Sequence, residues 1–169
     1  MSRLRVIAGA AFRRGEPSEM HDLARAARSG DSAALEAMAA VLLAGVAREA
    51  PDLLAAEGVT VVPMAGHLAG TASGPAEGLA RGLCIARPGW LEAPGPERLA
   101  DAPAASVAGE RDPVKEAATL CWPEVRGRGP VLLVDDVVRT GASLEAARLA
   151  APAPLRERLV AAVAFRAEG

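Results

Sequence analysis

The chain has no tyrosine, one lysine and only four aromatic residues, Phe12, Trp90, Trp122 and Phe165, so chemistry that needs stacking platforms or lysines has few places to sit. Its two cysteines, Cys84 and Cys121, lie far apart and in no ligand spacing, which argues against a disulfide framework or a zinc site and points to the cytosol. No field of one sign exists either. The 19 basic and 21 acidic residues are mixed along the chain and leave a formal charge of −2, so nothing draws the protein to nucleic acid or to an anionic membrane surface. No apolar run, that around residues 39–47 included, approaches the roughly 20 residues that span a bilayer. The run 6–12 is minimal for a signal core and is followed by Arg13 and Arg14, so it reads as a strand. Eighteen arginines against one lysine, with abundant alanine, is a pattern of coding bias, and an arginine carries less functional information here than usual.

What is present fits one compact domain over 1–169, with 51% hydrophobic residues to fill its core. A strand is expected over 4–12. Met20, Leu23, Ala24 and Ala27 then share one helix face, Gly30 stops that helix, and Asp31 or Ser32 caps a second. The second helix carries Leu35, Met38, Ala39, Leu42 and Val46 in one stripe and ends before Pro51. The β-branched run 59–63 predicts a strand that enters the loop MAGHLAGTASG before a short helix over 75–83. Residues 86–113 collect five prolines and show no sustained periodicity, so they are expected to form either a functional lid or mobile loop or an ordinary disordered insertion. A short helix over 113–120, a fully buried strand over 131–134, a helix over 143–150 and a closing strand over 159–165 complete the reading. Strands alternating with helices imply an α/β fold, a three-layer doubly wound sheet, mainly parallel.

Ligands of such sheets bind where strands end at their carboxyl edge, and Asp135 and Asp136 follow the 131–134 strand directly. Successive strand residues face opposite ways, so a turn beginning at Asp136 is needed to aim both carboxylates at one ligand. Thr140, Gly141, Ala142 and Ser143 then run into a helix, whose unpaired amides and dipole favour an anion that small side chains let come close. An acidic pair for sugar hydroxyls or a hydrated cation, followed by an amide cradle, has the polarity of ribose 5-phosphate. Rival nucleotide folds lack their signatures. No glycine-rich loop ends in Gly-Lys-Ser/Thr, because Lys115 is preceded by Val114; Gly127 and Gly129 precede a strand instead of following one; and no lysine lies beyond Lys115 to serve a phosphoacceptor domain.

The segment 131–143, VLLVDDVVRTGAS, resembles the phosphoribosyl pyrophosphate loop of the type I phosphoribosyltransferases. The resemblance implies that Asp135 and Asp136 contact the ribose hydroxyls and that Arg139, Thr140, Gly141, Ala142 and Ser143 wrap the 5′-phosphate. It places the pyrophosphate loop at Met64, Ala65, Gly66 and His67, often with a cis peptide there, and makes 86–113 the loop that closes over the reacting centre. Arg111 and Lys115 would then neutralise pyrophosphate as charge develops on it. The segments FRRGE and HDLARAARSGD are most similar to the competence-F-like branch of that family, although that branch's cysteine metal module and its Arg-Gly-Phe-Asn segment are missing. Mg²⁺ is the implied cofactor, held by substrate phosphates and by Asp135 and Asp136 directly or through water.

The implied function is transfer of the phosphoribosyl group to a nitrogenous base with release of pyrophosphate, making the chain a pentosyltransferase of nucleotide metabolism. Phosphoribosyl pyrophosphate and an unidentified base are the implied partners, with a homodimer as the assembly considered and no nucleic acid or membrane. Few aromatics and little chain after Phe165 predict a minimal base-binding hood, with Phe12 and Trp90 as the stacking candidates. The alternative is a non-catalytic protein that senses phosphoribosyl pyrophosphate or serves as a competence-related accessory.

Overall fold

The computed structural model describes residues 4–13, 18–71, 73–102 and 111–168. Its centre is a five-stranded sheet in the order β1-β7-β6-β2-β3, built from β1 (Val6–Arg13), β2 (Thr60–Pro63), β3 (Leu91–Glu92), β6 (Val131–Val138) and β7 (Leu159–Glu168). Every neighbouring pair in it is parallel. A separate antiparallel pair joins β4 (Glu97–Arg98) to β5 (Leu120–Cys121). The protein is thus α/β with a mainly parallel sheet.

Two cores lie against the sheet. One joins Leu132, Val134, Val61 and Phe165 to Ala24 and Ala27 of α1 (Glu19–Arg28), Met38, Leu42 and Val46 of α2 (Ser32–Glu49), Leu53 of α3 (Pro51–Ala55), and Leu79 and Leu83 of α4 (Gly74–Ala86). The other joins Val131, Leu133, Val62 and Val163 to Leu144 and Ala147 of α6 (Ala142–Ala150) and Leu155 of α7 (Ala153–Arg156), with Ala117 of α5 (Pro113–Ala117) packed against it. Residues 131–134 of β6 feed the two cores alternately, as a strand covered on both faces requires, and each fully buried Val or Leu there contributes about 1.5–3 kcal/mol. Close approach of α2 to β1 depends on paired glycines: a Cβ on Gly45 would lie 2.7 Å from Ala8 O, and one on Gly9 would lie 2.8 Å from Val41 O.

Local signals set the helix ends. Ser18 caps α1 through His21 N, Gly30 takes a positive φ of 89° after it, and the Asp31 carboxylate accepts from Ala34 N at the start of α2.

Three expectations are corrected. The strand carrying the acidic pair runs on to Val138 instead of ending at Val134. Residues 86–102 are not structureless: they hold β3 and β4 and bury Trp90, Gly95, Pro96 and Arg98. Contacts made across the fold order them, and these leave no periodicity to read. Gly95 shows it, sitting so close under β2 that a Cβ would fall 1.8 Å from Pro63 O. The rest of the expected mobile loop, 103–110, lies outside the described residues. Lastly, the stretch expected as a helix over 113–120 is helical only at Pro113–Ala117, and β5 begins at Leu120.

Candidate functional site

The chain leaves β2 through α4 to β3 on one side, and leaves β6 through α6 to β7 on the other. The order therefore reverses between β2 and β6, the place where open parallel sheets form a crevice at their carboxyl ends. A cavity of about 810 Å³ lies there. Its walls are the loop after β2, from Met64 to Leu68, and the segment of β6 and α6 from Asp135 to Leu144. Arg28 of α1, Arg98 of β4 and Arg111, just before α5, also reach it. The two stacking candidates aside, every residue expected at the site lines this cavity except Lys115, which is exposed on α5.

Both acids face the cavity although they are adjacent in a strand. Val134 packs in the first core, Val137 packs against that same core and Val138 sits in the second, so strict alternation slips across the pair. β2 ends level with Val134, which leaves that side of β6 open from Asp135 onward. The carboxylates turn onto the backbone: Asp136 N donates to Asp135 Oδ1 at 2.9 Å and Val137 N to Asp136 Oδ1 at 2.8 Å. Arg28 Nε then donates to Asp136 Oδ2 at 2.7 Å, forming an ion pair with a carboxylate only 11% exposed. Asp135 has no ion-pair partner among the described residues. Burial, and then the charge of Asp136 beside it, push its carboxyl up to about 8.

Gly141 takes φ +79° and forms the N-cap of α6 without a side-chain cap bond. Thr140 Oγ1 accepts from Ala142 N at 3.3 Å, while the Ser143 and Leu144 amides have no acceptor among the described residues. Two amides at the end of a nine-residue helix thus face the cavity with its dipole behind them.

The opposite loop is held from elsewhere in the chain. Arg98, 1% exposed, donates from Nε to Gly66 O at 2.6 Å, from Nη1 to Thr119 Oγ1 at 2.8 Å and from Nη2 to Glu116 Oε1 at 2.9 Å. Glu116 is fully buried and also lies 3.6 Å from Arg111 Nη1. Arg111 Nη1 reaches His67 Nδ1 at 3.2 Å, and Ala102 N donates to His67 O at 2.8 Å. An arginine only donates, so His67 Nδ1 is the acceptor and the neutral ring carries its proton on Nε2. Burial, then Arg111 and Arg98, hold the His67 pKa below its ordinary value and keep the ring neutral.

Of the amides expected to face a diphosphate, Met64 N is bonded to Val134 O of the neighbouring β6, and Gly66 N to Thr71 O, where the loop closes on itself. Ala65 and His67 keep amides with no acceptor among the described residues. No cis peptide occurs among the described residues.

Arg28, Arg98 and Glu116 were missed as site residues. With eighteen arginines the first two carried no distinguishing mark, and the acid next to Lys115 drew no notice; only the fold shows which of them are buried or paired. The stacking candidates fall away. Phe12 packs edge-on against Phe165 with centroids 6.3 Å apart, and Trp90, 4% exposed, lies in the first core. Trp122 bonds Ala147 O from its indole N–H in the other core, so no aromatic residue lines the cavity.

Among the described residues no cluster of three or more His, Cys, Asp or Glu is placed to hold a metal. Mg²⁺ keeps several waters and uses one or two carboxylates with substrate phosphates. The acidic pair fits such an ion arriving on a substrate, with Asp135 as its contact, while the outer oxygen of Asp136 is already taken by Arg28. Comparison of the chain with family models, with curated proteins and with solved structures finds no match.

Proposed function

We propose that the cavity binds phosphoribosyl pyrophosphate and that the chain transfers its phosphoribosyl group to a nitrogenous base, within a phosphoribosyltransferase-like fold carrying a minimal hood. One observation carries this reading: an acidic pair and an uncapped helix N-terminus, in that order along β6 and α6, share one cavity at the sheet's reversal point with a loop backed by arginines. The Ser143 and Leu144 amides and the Thr140 and Ser143 hydroxyls would hold the 5′-phosphate, with Arg139 at its rim. Asp135 and Asp136 would take the ribose hydroxyls. Across the cavity, the Ala65 and His67 amides, His67 Nε2–H and Arg111 would receive the diphosphate.

In the reaction the bond from ribose C1 to the pyrophosphate oxygen breaks, a bond from C1 to the base nitrogen forms, and the nitrogen's proton leaves. Mg²⁺ bound to the phosphates would offset their charge as pyrophosphate departs. The chain's own share is positioning and charge: Arg111, fixed by Glu116 and His67, stands where negative charge grows. The acids lie beside a ring that turns cationic.

A second reading is favoured by the lack of any aromatic residue on the cavity wall. A protein that only senses phosphoribosyl pyrophosphate needs no base platform. One assay separates the two: pyrophosphate release from phosphoribosyl pyrophosphate and Mg²⁺ across a panel of purine, pyrimidine and nicotinate-like acceptors. Release with any acceptor supports the enzyme. Saturable binding without release for every acceptor leaves the sensor.

A further inference from the structure

We propose that Arg28 is the resident cation of the acidic pair: it holds the place a divalent metal would take at Asp136 and offers its terminal N–H groups to the oxygens of the bound sugar phosphate. The second half rests on the ribose-phosphate reading; the first does not.

Arg28 is the last residue of α1, where a cation is favoured by the helix dipole. It is anchored from behind, since Ala24 and Ala27 are buried in the first core and the chain turns sharply at Gly30 into the capping Asp31. One of its nitrogens is committed: Nε lies 2.7 Å from Asp136 Oδ2, the length of a charge-assisted bond. The other Asp136 oxygen accepts from Val137 N, so each oxygen of this carboxylate already has a donor within the chain. The terminal guanidinium nitrogens have no acceptor among the described residues, the side chain is 55% exposed, and the residue lines the cavity. Its charge is permanent, so at any working pH an arriving divalent ion meets a fixed like charge at Asp136. A guanidinium with free N–H groups beside an acidic pair is equipped for ring hydroxyls and phosphate oxygens alike.

The first test needs no ligand. Mn²⁺ is titrated into the purified full chain and followed by electron paramagnetic resonance. The wild type should bind no Mn²⁺ at the pair, Arg28→Met should gain a site, and Arg28→Met with Asp136→Asn should lose it again. A wild-type site that vanishes on Asp136→Asn, or an Arg28→Met chain that gains none, overturns the assignment. Arg28 is half in solvent, so the variant is expected to fold, which circular dichroism checks.

The second test uses ribose 5-phosphate in calorimetry, with EDTA or with Mg²⁺. Wild-type affinity should be unchanged between them. Arg28→Met should bind about tenfold more weakly in EDTA, the loss of one charge-assisted hydrogen bond, and Arg28→Lys should recover part of it. A wild type that needs Mg²⁺, or an Arg28→Met chain that binds equally well without it, contradicts the second half. Failure of every chain to bind ribose 5-phosphate would instead refute the proposed function, and the Mn²⁺ result would still decide the role of Arg28.

Discussion

From Asp135 to Ala142, along the end of β6 and the start of α6, the backbone amides that bond side chains do so to neighbours in sequence: Asp136 N on Asp135, Val137 N on Asp136 and Ala142 N on Thr140. The loop after β2 is held by groups 32 to 44 residues further along, with Arg98 on Gly66 O and Arg111 on His67. Removing one side chain should therefore injure the two walls differently. On the β6 side it changes what the cavity binds, because the backbone there is fixed by the strand and the helix. On the β2 side it should loosen the wall itself.

The largest effect is expected from Arg98→Met. It strips buried Glu116 of its 2.9 Å partner, leaves it only Arg111 at 3.6 Å, and should cost about 3 kcal/mol, read as a fall in melting temperature of roughly 10 °C. Double replacement by Arg98→Met and Glu116→Leu should recover much of that stability but not the placement of Gly66. Pyrophosphate affinity would stay weak while the melting temperature returned. Recovery of both together would mean that the pair does not position the loop.

Next in size is Asp136→Asn, which should weaken binding of ribose 5-phosphate by about tenfold to a hundredfold, one or two charge-assisted hydrogen bonds, with little change in melting temperature. An equal loss of stability would erase the contrast between the walls.

The third expectation concerns pH. Asp135 has its folded pKa raised to about 8, so between the ordinary carboxyl value of about 4 and about 8 the folded chain keeps a proton that the unfolded chain has released. The contribution is fully present below about 4 and is lost as pH rises through about 8. Melting temperature should fall across that window in the wild type and fall less in Asp135→Asn. Parallel curves for the two would remove Asp135 from the account.

Gly141→Ala should cost about 1 kcal/mol, since φ of +79° strains any side chain although a Cβ would meet only Val138 Cγ2, at an ordinary 3.9 Å. It should also weaken phosphate binding. Lys115→Met, on the exposed face of α5, should change stability by no more than about 0.5 kcal/mol and leave binding alone.

The same contrast explains what could be read before the fold was known. Most of the β6 wall is one contiguous segment, and its strand, acids and helix start are local signals, so Asp135 to Ser143 were placed together from sequence. The elements with clean periodicity, α1, α2 and β7, were also legible, within one to three residues at their ends. The rest depends on contacts between distant residues. Nothing in PGPERL announces that Gly95 must pass under Pro63 or that Arg98 is buried against Glu116. Lys115 stood out by rarity, yet Glu116 beside it has the place in the fold. The slip of alternation at the acidic pair was foreseen as a turn; the structure achieves it inside a strand that continues.

The most direct test is calorimetric titration of phosphoribosyl pyrophosphate into the wild-type chain and into a chain carrying both Asp135→Asn and Asp136→Asn. Saturable binding by the wild type, displaced by ribose 5-phosphate and lost in the double variant, is the predicted result. No binding by the wild type, or undiminished binding by the variant, would contradict the assignment of this cavity to a ribose phosphate.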